Sequence, residues 1–223
     1  MVALLAFLAT AVSTLFFEAV FVRWTRHRRA HEGAWAVALA LFAVASAAFA
    51  VGASTGWDRG TFRAFYLFGA VVNVPWLALG TVHLLAPRVG ARAQPVVLAF
   101  TGLAAGVVLA APMHGAVPRE AIPEGRELFD AFPRILAAVG SGVGAVVVIV
   151  GALWSAGRYF SRRTTDARRR AGANGLIALG TLVLSAGGIL EGLLGGHDEA
   201  FAITLVTGVA LIYAGFLLAR SDA

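Results

Sequence analysis

Residues 33–53 read GAWAVALALFAVASAAFAVGA, a run of 21 positions without a charged side chain. A helix of about 20 residues rises about 30 Å, the thickness of a bilayer's hydrocarbon core. A helix that is apolar on all its faces must be surrounded by lipid or by protein. Working outward, the chain offers six comparable runs, near 3–22, 62–86, 95–111, 132–157, 172–194 and 200–219. The expected fold is therefore all-α: a polytopic integral membrane protein, a single seven-transmembrane-helix bundle over residues 1–223.

Composition agrees, since 59% of the 223 residues are hydrophobic and only 13% are charged. A water-soluble domain carries about twice that share of charge. The run at 95–111 lies between Pro95 and Pro112 and is short for a crossing, so it predicts an untilted helix or one that extends into its flanks.

All 18 basic residues are arginine, and they alternate between two sides. Thirteen fall in the loops after the first, third and fifth spans and at the C-terminus, including Arg23–Arg29 and Arg158–Arg170. The other side carries five, at Arg59, Arg63, Arg119, Arg126 and Arg134, together with the acidic residues Glu120, Glu124, Glu127 and Asp130. The positive-inside rule then places the N-terminus outside and the C-terminus inside, in a plasma (inner) membrane. The first span has no basic residues before it, so it is expected to be a retained helix rather than a cleaved signal.

The same arithmetic removes several chemistries. With no lysine there is no Schiff-base attachment; with no cysteine there is no disulfide, thiolate nucleophile or cysteine-held metal. The five histidines, His27, His31, His83, His114 and His197, show no metal-ligand spacing. No cofactor or metal is expected, and no catalytic pattern singles out an enzyme. The positive charge is assigned to topology and to contact with anionic lipid, not to nucleic acid.

The longest connection, 112–131, contains Pro112, Pro118 and Pro123. Its segment Glu124–Phe132 predicts a short interfacial helix with Leu128, Phe129 and Phe132 toward lipid or the bundle mouth. Pro133 would sit in the first turn of the fifth span, where a missing N–H costs little. The connection reads as a surface link or as a lid over an outward-facing cavity.

Spans one to three and five to seven share an order of helix, arginine-rich turn, helix, short polar turn, helix, with the fourth span between them. This three-plus-one-plus-three layout resembles that of the SWEET family of sugar transporters in helix count, length and orientation, and Asn73 in the third span extends the comparison. The chain has no Pro-Gln pair in its first or fifth span and no matching asparagine in its seventh.

Polar groups inside spans are expensive and mark function. The third span, TFRAFYLFGAVVNVPWLALGTVHLLAP (61–87), puts Arg63, Tyr66, Ala70, Asn73 and Leu77 on one arc of a helical wheel. Asn73 stands near the midplane just before Pro75, whose ring would free the carbonyl of residue 71. Trp76 is beside it, and His83 lies further in. Glu18 is the acid of the first span and would pair, if buried, with His83 or Arg23. Glu191, in the sixth span behind Gly187 and Gly188, is matched with Arg63 and Tyr66 as an outer constellation. These seven, Asn73, Tyr66, Trp76, Arg63, Glu191, Glu18 and His83, are the expected ligand contacts of a small-solute or ion transporter with a cavity along the third helix. The alternative is a receptor, sensor or accessory subunit that binds a lipid, a small ligand, a partner membrane protein or a second copy. A solvated cavity reaching Asn73 from one face, with Glu18 or Glu191 lining it, would favour the first; a dry centre with a large apolar external groove would favour the second. Glycine pairs, Gly140 with Gly144, Gly208 with Gly215, and Gly102 with Gly106, predict close helix contacts.

Overall fold

The computed structural model describes residues 1–160, 165–194 and 198–220, with side chains at 159, 160, 165–167, 189–194 and 220 set aside. Within them are seven long apolar helices, consistent with a polytopic membrane bundle. They are α1 (Val2–His27), α2 (Ala30–Thr55), α3 (Arg59–Leu85), α4 (Pro87–Ala110), α5 (Ala131–Phe160), α6 (Thr165–Leu194) and α7 (Asp198–Arg220).

Helices run past the apolar spans because arginine-rich ends sit in the headgroup region without breaking the backbone ladder. α1 continues through Arg23 to His27, and α2 begins after only Arg28 and Arg29. So tight a reversal forces Arg28 into the left-handed region, with φ 54, a conformation that glycine usually supplies. Trp24 accepts the Arg28 backbone N–H through its carbonyl, which closes the end of α1.

The buried residues of α1, Ala6, Ala9, Ser13, Phe16 and Val20, recur at alternating steps of three and four. That spacing is the narrow seam of a helix touching neighbours on one side only. α1, α2, α3, α5, α6 and α7 follow one another around a closed ring in which α7 returns to α1. α4 lies outside it against α3 and α5 and is the least buried of the seven. α3 is the most buried.

The fourth helix starts at Pro87 rather than after Pro95, which lies inside it. Pro87 occupies a first-turn position, where no N–H partner is lost. Pro95 is tolerated because this part of α4 is exposed, so the carbonyl it orphans can find water or a headgroup. The pair Gly102 and Gly106 meets nothing within 4 Å, so the expected close contact is absent. Since α4 is peripheral, the small residue that reaches a neighbour is Ala104, between them.

The other glycine pairs do bring backbones together. A β-carbon on Gly140 would stand 2.5 Å from the Val71 carbonyl oxygen of α3, and one on Gly144 3.0 Å from that of Val74. Across α6 and α7, Gly180 faces the Gly208 carbonyl and Gly215 faces that of Ala173.

The connection between α4 and α5 forms helix only over the single turn Gly125–Leu128. Leu128 and Phe129 are buried, whereas Phe132 is exposed. Phe129 stacks on Phe62 and leans on Tyr66, while Met113 and Ile122 are also buried. Three bonds tie the segment down: Trp57 N–H to the Arg119 carbonyl, His114 N–H to that of Leu128, and Ile122 N–H to the Asp198 carboxylate. It is a packed cap over one end of the ring.

Candidate functional site

α3 changes register at its centre. Tyr66–Val72 winds as a π-helix between the α-helical turns Arg59–Phe65 and Asn73–Leu85. π segments inside α-helices are costly and concentrate at functional sites. Pro75 explains where the ladder fails. Its missing N–H orphans carbonyl 71 in an α ladder and carbonyl 70 in a π ladder. The Ser141 hydroxyl of α5 donates to the Ala70 carbonyl at 2.5 Å. Gly140 meanwhile lets α5 approach close to the Val71 carbonyl. The sequence pointed to residue 71; the π turn moves the bonded carbonyl to residue 70. Replacing Ser141 with alanine is expected to cost about 1–2 kcal/mol, the penalty of an unsatisfied buried carbonyl. Unfolding in mixed micelles measures the loss, and Ser141→Thr should recover most of it.

Asn73 is 7% exposed, and its Oδ1 has no hydrogen-bond partner. Ser46 Oγ on α2 is buried and unpartnered as well. Tyr66 is enclosed by Phe62, Phe129 and the Gly125 turn of the cap. Trp76 donates its Nε1–H to Thr101 of α4 at 3.1 Å. His83 is buried beside Gly90, with its Nε2 at 3.2 Å from Gln94 Oε1. Gln94, not Glu18, is therefore its neighbour.

Arg63 donates to the carbonyls of Val108 and Leu109 in the last turn of α4 and to that of Ala111 just beyond it. A guanidinium there satisfies acceptors that the helix leaves open and opposes the negative end of its dipole. The Glu191 side chain lies outside the described residues, as does His197, so the Glu191–Arg63 pairing has no geometry to report. Asp58 caps the start of α3, accepting the N–H groups of Gly60 and Thr61 and the Thr61 hydroxyl. The Thr61 bonds hold its carboxyl below the usual aspartate range.

Glu18 is exposed on the outer face of α1, with no hydrogen bond or ion pair among the described residues. The buried carboxylate is instead Glu32, in the first turn of α2, with its side chain 2% exposed. Arg23 Nε holds one oxygen at 2.6 Å, and His27 Nδ1 lies 3.7 Å from the other. Glu32 stands just before the apolar run at 33–53, so composition assigns it to a loop. Its signal is positional: once α1 extends to His27, a two-residue turn folds Arg23 and Glu32 against each other.

Two cavities stand out. One, of about 500 Å³, opens at the capped end between Thr55–Arg59 and Val117 and Arg119. The other, about 340 Å³, is an apolar groove on the side of the bundle between α1, α2, α3 and α4, near its arginine-rich end. Phe17, Phe21 and Trp24 form one wall, Ala34, Val37 and Ala40 the floor, and Trp76, Leu79 and Gln94 the other wall. It exists because α4 diverges from the ring while α2 presents small side chains there. Of the seven expected contacts only Trp76 lines it, and neither cavity is lined by Asn73, Glu18 or His83. Between α1, α2 and α7 at that level, Phe16, Leu39, Val209 and Ile212 form a buried cluster, with Phe42 and Leu184 packed against it. Among the described residues, no three histidines or carboxylates cluster as a metal site. The chain matches no family model and no curated protein at a significant level.

Proposed function

We propose that this protein is a binding component of a plasma (inner) membrane, a receptor, sensor or accessory subunit that holds an apolar or amphiphilic molecule in the groove between α1 and α4. The groove carries this reading. It opens sideways, toward acyl chains, and its volume is that of a small-molecule site. The filled interior and the cap of Leu128, Phe129 and Ile122 support a bundle that binds at its flank. The arginine count over the loops supports an orientation with the N-terminus outside and the groove in the inner leaflet.

Ala40 is half-buried on the groove floor, and Ala40→Phe would fill the groove there. Protein purified in mild detergent is expected to retain a bound amphiphile, detected by mass spectrometry, and Ala40→Phe to lose it. Equal retention by both proteins overturns the reading.

Asn73 favours a second reading. A buried, unpartnered Oδ1 beside a π turn and a proline is the kind of element with which a transporter coordinates a solute or ion. Solute flux in proteoliposomes that Asn73→Ala abolishes would establish transport through α3; flux unchanged by that substitution removes Asn73 from the site.

A further inference from the structure

We infer that the groove's occupant is a phospholipid with an anionic headgroup, its acyl chain between the aromatic walls and its phosphate held by Arg28 and Arg29. This rests on the groove being a binding site. The arginines' placement makes the headgroup choice. Trp24 lines the groove, and the Arg28 guanidinium carbon lies over its ring, 5.0 Å from the centroid. The left-handed backbone of Arg28 turns the chain there, and its guanidinium rests on Trp24, a residue of the groove wall. Arg29 immediately precedes Ala30, which also lines the groove. Both arginines are exposed, and neither has a carboxylate partner among the described residues. Glu32, the nearest acid in sequence, is already neutralised by Arg23.

Stacking on an indole keeps a guanidinium's edge free to donate, so Arg28 can grip a phosphate while Trp24 packs on the lipid. Arg88 and Arg92 of α4 are exposed near the same end. On a helical wheel, however, they lie more than about 100° round from the groove-lining Gln94. They belong to the general positive surface, and the clasp is assigned to the α1–α2 turn. A partner helix in the groove would instead select for apolar shape and ignore the headgroup charge.

The test reads the emission of Trp76, deep in the groove and away from the arginines, as the difference between wild type and Trp76→Phe. The full chain is reconstituted in phosphatidylcholine vesicles containing a few per cent of brominated phosphatidylglycerol or brominated phosphatidylcholine. Brominated phosphatidylglycerol should quench Trp76 at lower mole fraction, by roughly fivefold for each arginine that reaches the phosphate. Arg28→Gln with Arg29→Gln should equalise the two lipids, Arg28→Lys with Arg29→Lys should retain a preference, and Arg88→Gln with Arg92→Gln should leave it unchanged. Equal quenching in wild type, or a preference that survives Arg28→Gln with Arg29→Gln, overturns the anionic occupant. If neither lipid quenches Trp76 while both quench Trp154, which is 66% exposed on α5, the groove reading itself fails.

Discussion

Arg23→Ala is expected to destabilise the bundle by about 3 kcal/mol, because it leaves the Glu32 carboxylate buried without a counter-charge. Removing one member of a buried pair costs about 3–5 kcal/mol. Arg23 is 32% exposed, and water near it offsets part of the loss, hence the lower end of that range. The pair joins α1 to α2 across a two-residue turn, so its loss should loosen the groove's arginine-rich end before the capped end. Glu32→Gln is milder, since the amide keeps the shape and accepts a hydrogen bond from Arg23. The double replacement Arg23→Met with Glu32→Met separates charge from space: apolar residues of similar volume often match or exceed a buried ion pair. Recovery of most of the lost stability in the double variant, followed by unfolding in mixed micelles, is the expected result. If the double variant is as unstable as Arg23→Ala, the pair contributes packing that methionine cannot replace, and the electrostatic account is wrong.

That pair also marks where the sequence could and could not be read. Span number was legible because lipid demands runs of about 20 apolar residues, and loops interrupt them with arginine. Helix ends were not, because an arginine-rich segment can be helical or looped at equal hydropathy. The error at the end of α1 hid Glu32 and gave Glu18 its place. Helix order in space was equally hidden: 95–111 is as apolar as its neighbours, yet α4 lies outside the ring. The prominence of Asn73 and Pro75 was legible from residue type alone. The π turn was not, since it depends on Ser141 and Gly140 arriving from a helix seventy residues away.

Gly180→Ala is expected to cost about 2–3 kcal/mol and Gly106→Ala nothing measurable, although both add one methyl to a membrane helix. At Gly180 the new carbon would stand 2.6 Å from the Gly208 carbonyl oxygen and 3.0 Å from the Ile212 nitrogen. Both obstacles are backbone, so no rotamer change can relieve the overlap and α6 and α7 must separate. Separation spreads, because Gly187 of α6 and Gly208 and Gly215 of α7 lie in the same interface. Membrane helices have no water-driven force to close such a gap; contact is held by dispersion, which decays over a fraction of an ångström. At Gly106 nothing lies within 4 Å, and the methyl enters lipid, where alanine's better helix propensity offsets any loss. Unfolding of the two single variants in mixed micelles measures the difference. Equal stability of both would mean that α6 and α7 do not meet through glycine.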